Sequence, residues 1–145
     1  MAWTFYNASG EALVQHAESE ATQAEMEAET AIAHFVPPDL VKNSPGVAKA
    51  WVYWNQSGTP ARIGYYNVDS VGDDAVGLST ITFGTNFSGV TYTTVGNGSE
   101  GRLIGQAASS AAVGSVAVAI VVSDSGARSD DTQAGANFFG ELVDE

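Results

Sequence analysis

Residues 48–68 read Ala-Lys-Ala-Trp-Val-Tyr-Trp-Asn-Gln-Ser-Gly-Thr-Pro-Ala-Arg-Ile-Gly-Tyr-Tyr-Asn-Val. Two runs dominated by Trp, Tyr, Val and Ile, at 48–55 and 61–68, flank the turn cluster Gln56-Ser57-Gly58-Thr59-Pro60. Aromatic and β-branched side chains suit a pleated, half-buried surface, so the stretch predicts a two-stranded hairpin. Side chains alternate along a strand, which puts Trp51 and Tyr53 on one face and Trp54 on the other. The same signature recurs at 77–84, 89–95, 114–123 and 134–143. Val116, Val118, Ile120 and Val122 share one face of their run, and Val121 on the other implies cover there too. Asn97-Gly98 is a tight-turn signal. Short strands at this spacing predict a mainly β protein, an antiparallel β-sandwich of jelly-roll-like character. Residues 101–113, rich in Ala and Ser, favour neither strand nor helix.

Upstream the composition changes. The first 41 residues hold seven acids and no Lys or Arg, and all five basic residues (Lys42, Lys49, Arg62, Arg102, Arg128) lie beyond them. Residues 2–6 alternate weakly as a short strand, followed by the turn cluster Asn7-Ala8-Ser9-Gly10. From Glu11 to Phe35 good helix formers prevail. Thr22 and Glu25 form a capping box, so a helix begins at Thr22 or, in the competing reading, near Glu11. Val14, Ala17, Ala21, Ala24, Ala28, Ala31 and Phe35 repeat at spacings of three and four, a heptad seam suited to anchoring or to an oligomer. A short helix on the protein's own body or a multi-chain bundle would both use it. Pro37-Pro38 ends any helix, and residues 37–46 read as a linker. The expected organisation is therefore an N-terminal arm with a short α-helix, 1–46, and a β-sandwich, 47–145.

The full chain of 145 residues has 17 Asp+Glu against five Lys+Arg, a net charge of −12. Such a surface repels DNA, RNA and anionic membranes, so neither nucleic acid nor membrane is an expected partner. The absence of cysteine excludes disulfides and thiolate chemistry. Residues 1–6 lack the basic segment and apolar run of a signal peptide, and no run is long and apolar enough to span a bilayer. Gly96-Asn97-Gly98-Ser99-Glu100-Gly101 matches G-x-G-x-x-G, but a dinucleotide site needs a helix next, and residues 102–113 have no amphipathic period. Asp69, Asp73 and Asp74 beside Gly72 read as a solvated acidic turn in preference to a cation site, and Asp130-Asp131 as an exposed acidic loop. His16 and His34 stand apart from any nucleophile motif. Asn7, Asn55, Asn86 and Asn97 open N-x-S sequons, expected to be unmodified without a secretory signal. No catalytic residue, metal or cofactor is expected.

Ser44-Pro45-Gly46-Val47-Ala48-Lys49-Ala50-Trp51-Val52-Tyr53-Trp54 resembles a motif of bacteriophage tail-fibre and virion-appendage proteins. The tracts Ile63–Val71, Thr80-Ile81-Thr82-Phe83, Thr22–Ala28 and Phe35-Val36-Pro37-Pro38 are similar to others in that family, and together the likeness covers roughly residues 20–95. It implies a homotrimeric, non-enzymatic virion protein whose partners are copies of itself, other phage virion proteins and a host-surface glycan or protein. Under it Trp51, Tyr53, Trp54, Tyr65 and Tyr66 serve core and trimer interface, with a carbohydrate-stacking face as the lesser alternative, and Lys49, Arg62 and Arg102 meet acids of neighbouring chains. Two departures, the lack of a shaft and the altered linker at Pro38-Asp39-Leu40, leave room for a capsid decoration protein at three-fold positions. A small carbohydrate-binding or carbohydrate-active module is the reading outside the phage class.

Overall fold

A computed structural model of the chain describes residues 5–6, 9, 12–13, 20–29, 36 and 40–143. It divides into two compact units, Met1–Ser44 and Pro45–Glu145.

In the first unit, β1 (Phe5–Tyr6) pairs antiparallel with β2 (Ala12–Leu13). The helix α1 (Gln23–Glu27) starts where the capping box places it. The Glu25 N–H donates to the Thr22 hydroxyl at 3.3 Å, and the Thr22 N–H donates to the Glu25 carboxylate at 2.8 Å. Two otherwise orphan donors are thereby satisfied. The helix ends at Ala28, and Glu29 turns left-handed at φ 53°. A 3-10 turn follows at Val41–Asn43. Ala12–Leu13 is strand and the five residues of α1 make about one and a half turns, so among the described residues no helix runs on from Glu11 and α1 does not carry a three-repeat seam. Alanines bury too little area to hold a long helix, and Glu25 and Glu29 repel each other across one turn. Ala24 lies within α1 and Ala28 caps it, both exposed, while Ala21 precedes the cap and is buried. Val14, Ala17, Ala31 and Phe35 lie outside the described residues, as do His16 and His34.

The second unit is an antiparallel β-sandwich. Its strands are β3 (Ala50–Asn55), β4 (Ala61–Tyr66), β5 (Val68–Ala75), β6 (Leu78–Phe83), β7 (Thr93–Asn97), β8 (Arg102–Gln106), β9 (Ser115–Val122) and β10 (Ala134–Phe139). They form two four-stranded sheets, ordered β4-β3-β10-β7 and β5-β6-β9-β8. Consecutive strands pair as hairpins in β3–β4, β5–β6 and β8–β9, and β3–β10, β7–β10 and β6–β9 join strands further apart in sequence. The strands β4 and β5 are added at one edge of each sheet.

The inward faces interdigitate into one core. Val52 and Trp54 of β3 meet Ile81 and Phe83 of β6, Val116, Val118 and Ile120 of β9, and Ala136 and Phe138 of β10. Each fully buried large side chain contributes about 1.5–3 kcal/mol. One end is aromatic: Phe83 stands edge-on to Phe87, Tyr92 and Phe138, with centroids 4.8, 5.6 and 5.1 Å away. The Tyr92 hydroxyl reaches the Ala112 and Ser115 carbonyls at 3.0 and 2.9 Å, and burial pushes its pKa up.

Two strands of the sandwich lie where the sequence predicts none. The stretch Asp69–Asp74, expected as an acidic turn, belongs to β5. Its acids and Gly72 have low strand propensity, but β5 is an edge strand, where charges meet water and discourage edge-to-edge pairing. Likewise β8 arises from Arg-Leu-Ile-Gly-Gln, where Ile104 alone is buried.

Asn67 turns the chain from one sheet to the other at φ 51°. Its amide donates to the Lys49 and Thr85 carbonyls, both at 3.1 Å, and accepts from the Thr85 N–H at 2.5 Å. Asn is among the few residues that tolerate this left-handed conformation.

Candidate functional site

Register decides what the sheet β4-β3-β10-β7 shows on its outer side. Trp51 stands opposite Tyr66 on β4 and Asn137 on β10, while Tyr53 stands opposite Gly64 and Gly135. Asn137 in turn faces Val95 on β7, Gly135 faces Asn97, and Phe139 faces Thr93. With Asn55 opposite Ala61, these residues compose the outward face of four strands. None is Asp, Glu, Lys, Arg or His, in a chain of net charge −12. A face assembled from four separate stretches and free of ionised groups carries no charge that must be desolvated when it is covered. Exposed aromatic and apolar side chains gathered on one face mark contact sites.

Two glycines shape the relief. A Cβ on Gly64 would meet Cζ3 and Cη2 of Trp51 at 3.2 and 3.4 Å, so the benzo ring of the indole occupies room that only glycine leaves. Trp51 still exposes 39% of its surface. A Cβ on Gly135 would meet Oδ1 of Asn97 at 2.6 Å, so that amide leans over β10 toward Tyr53.

The rim is set by a bulge. Tyr53 pairs with Gly64 but Trp54 pairs with Arg62, which leaves Ile63 as the extra residue. A bulge resets the alternation beyond it, and the Arg62 guanidinium comes to lie 4.1 Å from the centroid of the Tyr65 ring. Arg62 also donates to the Val68 carbonyl. Ile63, Tyr65 and Tyr66 are all exposed.

The five aromatics singled out in the sequence therefore divide. Trp54 is fully buried in the core, Tyr53 is half-buried on the outer face, and Trp51, Tyr65 and Tyr66 are exposed. The basic residues divide too. Arg62 is engaged at the rim, Arg102 donates to the Ser99 and Ser129 hydroxyls at 3.1 Å each, and Lys49 is buried.

Asp131 corrects the expectation of an exposed acidic loop: it is 2% exposed. Its carboxylate accepts the Ser99 N–H at 2.7 Å and the Gln133 N–H at 3.0 Å, and its carbonyl accepts the N–H of buried Gln56 at 2.8 Å. Burial by itself would raise its pKa. The backbone N–H groups of Gln133 and Ser99, the Ser99 hydroxyl and the Arg102 charge outweigh burial and hold it below the ordinary Asp value. Its neighbour Asp130 accepts the Gly77 N–H at 2.8 Å. The pair ties two turns together, one joining β5 to β6 and one joining β7 to β8. Spacing in sequence carries no signal for that.

The G-x-G-x-x-G stretch runs from the end of β7 to β8, and no helix follows it. Gly96 and Gly98 are there for close packing, since Cβ atoms would meet Cγ2 of Ile104 at 2.5 Å and Oδ2 of Asp131 at 2.7 Å. On β5, Asp74 accepts the Thr80 hydroxyl at 2.6 Å. Among the described residues no three His, Asp or Glu side chains group as metal ligands, and no described helix is long and apolar enough to cross a membrane. Near the aromatic end a cleft of about 230 Å³ is lined by Phe87, Ser88, Thr91, Tyr92 and Glu141. Comparison with known protein families, curated proteins and solved structures finds no match to this chain.

Proposed function

We propose that the chain is a non-enzymatic structural protein of a bacteriophage particle. In this reading it is a subunit of a homotrimeric short tail fibre or appendage. Residues 1–46 fix it to the particle, and the β-sandwich meets the host surface. The observation that carries the reading is the uncharged outer face of β4-β3-β10-β7, which displays Trp51, Tyr53 and Tyr66 although the chain as a whole is strongly acidic. A face that water must leave easily suits a protein whose work is contact. The resemblance of residues 44–54 to appendage proteins supplies the particle and the three-fold assembly.

The test has two parts. Light scattering on the purified chain is expected to give three times the chain mass. Gold-labelled antibody against residues 47–145 is expected to mark the tail or discrete projections of intact particles. Label spread over the head would replace this reading with capsid decoration, and capsids lacking the protein would then lose heat resistance. No label on any particle would overturn both.

A further inference from the structure

We propose that the outer face of β4-β3-β10-β7 binds a neutral oligosaccharide, with the Trp51 indole as its stacking platform. The proposal deepens the attachment role given above and rests on it.

A pyranose ring offers two chemistries at once. One side is a patch of C–H groups that packs on an aromatic ring, and its edge is a row of hydroxyls that each need a donor or an acceptor. Both counterparts are present. The Trp51 indole is seated over Gly64, and it keeps over a third of its surface open to solvent. Tyr53 lies two residues along the same strand, about 7 Å away, so the two rings can support successive sugars. Tyr66 flanks Trp51 on one side and Asn137 on the other. The Asn97 amide leans over Gly135 toward Tyr53. A carboxamide is donor and acceptor together, the combination that vicinal hydroxyls call for.

Charge selects among ligands that stack. Nucleic acids also stack on indoles, but a polyanion is repelled by a chain of net charge −12. Uronate and sulfated sugars meet the same field, and the one cation at the rim, Arg62, is held against the Tyr65 ring and the Val68 carbonyl. A second copy of the chain is the competing occupant. It would have to seat Trp51 against the same relief, and the test separates the two.

The measurement is isothermal titration, with intrinsic tryptophan fluorescence alongside. The probes are neutral hexasaccharides of glucose, galactose and mannose, with hexauronate and a sulfated hexasaccharide as the charged comparison. At least one neutral hexasaccharide is expected to bind and to perturb the emission, and the charged probes are not. Trp51→Ala is expected to weaken binding at least tenfold. Gly64→Ala, which keeps the indole but lifts it from its seat, is expected to weaken it several-fold. Leu103→Ser, on the outer face of the other sheet, is expected to leave it unchanged. Circular dichroism of each variant separates lost binding from lost folding.

Failure of every neutral probe at millimolar concentration would overturn the proposal. So would preference for a charged probe, or affinity in Trp51→Ala and Gly64→Ala unchanged from the native chain. Dissociation of the oligomer by Trp51→Ala would also overturn it, because the face would then be a subunit contact. Gold at the tail together with no sugar binding would leave the attachment role standing and remove this ligand.

Discussion

Asn in place of Asp131 tests whether a buried charge ties the loops of the sandwich together. In the native chain two backbone N–H groups, of Ser99 and Gln133, point at the two carboxylate oxygens at 2.7 and 3.0 Å. Asn keeps the shape but has one oxygen. Whichever way round the amide sits, one of the two backbone N–H groups faces another donor. A lost hydrogen bond to a charged acceptor costs about 1.5–3 kcal/mol. A single small domain loses about 4–8 °C of Tm for each kcal/mol. The effect also has a pH signature. The native carboxyl is held below its unfolded pKa by those N–H groups and by Arg102, against the opposing pull of burial. Its contribution is therefore complete above the ordinary Asp value and is lost as pH falls through the depressed native value. Below that, a protonated Asp has one acceptor and one donor, much as Asn does. Urea unfolding of both proteins by circular dichroism should show the full gap at pH 7 and a shrinking gap in acid. An equal gap at both pH values, or a neutral-pH gap under about 0.5 kcal/mol, would refute the claim that charge holds these turns.

Trp54→Ala should cost about 3–5 kcal/mol by denaturant unfolding, as expected for a fully buried large aromatic. Trp51→Ala, three residues earlier but exposed, should cost less than about 1 kcal/mol. Gly77→Ala should destabilise strongly or prevent folding. Its φ is +64°, and a Cβ would meet the Ser129 nitrogen at 2.5 Å and the Ile120 oxygen at 2.6 Å, both backbone atoms. Asn67→Asp removes both donors to the Lys49 and Thr85 carbonyls and should lower stability by about 1–3 kcal/mol. Deletion of residues 1–36 should leave the sandwich folded by circular dichroism, because its core runs from Ala50 to Phe138, while incorporation into particles is lost.

Much of the architecture was legible in the chain. Strands 50–55 and 61–66 and the turn between them are written in local chemistry, with aromatic and β-branched residues on each side of a Gly-Thr-Pro turn. The same holds for β6, β9 and β10. The capping box at Thr22 was equally readable, because its two hydrogen bonds close within four residues. Illegible were the elements whose stability is borrowed. The strand β5 is polar and glycine-bearing, and it exists because β6 supplies its partner. The strand β8 exists because β9 does. Conversely, α1 ends at Glu27 although the Ala spacing continues through Ala28, since periodicity without bulk gives little area to bury.

The candidate site shows the same division. Sequence alone established that Trp51 and Tyr53 share a face, because alternation along a strand is a property of the backbone. It also established that the chain is acidic and that its aromatics concentrate in residues 51–66 and around 83–92. Tertiary structure alone decided that Gly64 lies beneath the indole, that Asn137 and Asn97 join the same face, and that no charge falls on it. Those residues are brought together by registers that pair positions far apart in sequence, Trp51 with Asn137 among them. Buried Asp131 teaches the same lesson. A pair of aspartates in a polar stretch signals solvent by composition, and only the two turns that fold over it supply the N–H groups that make burial of its charge affordable.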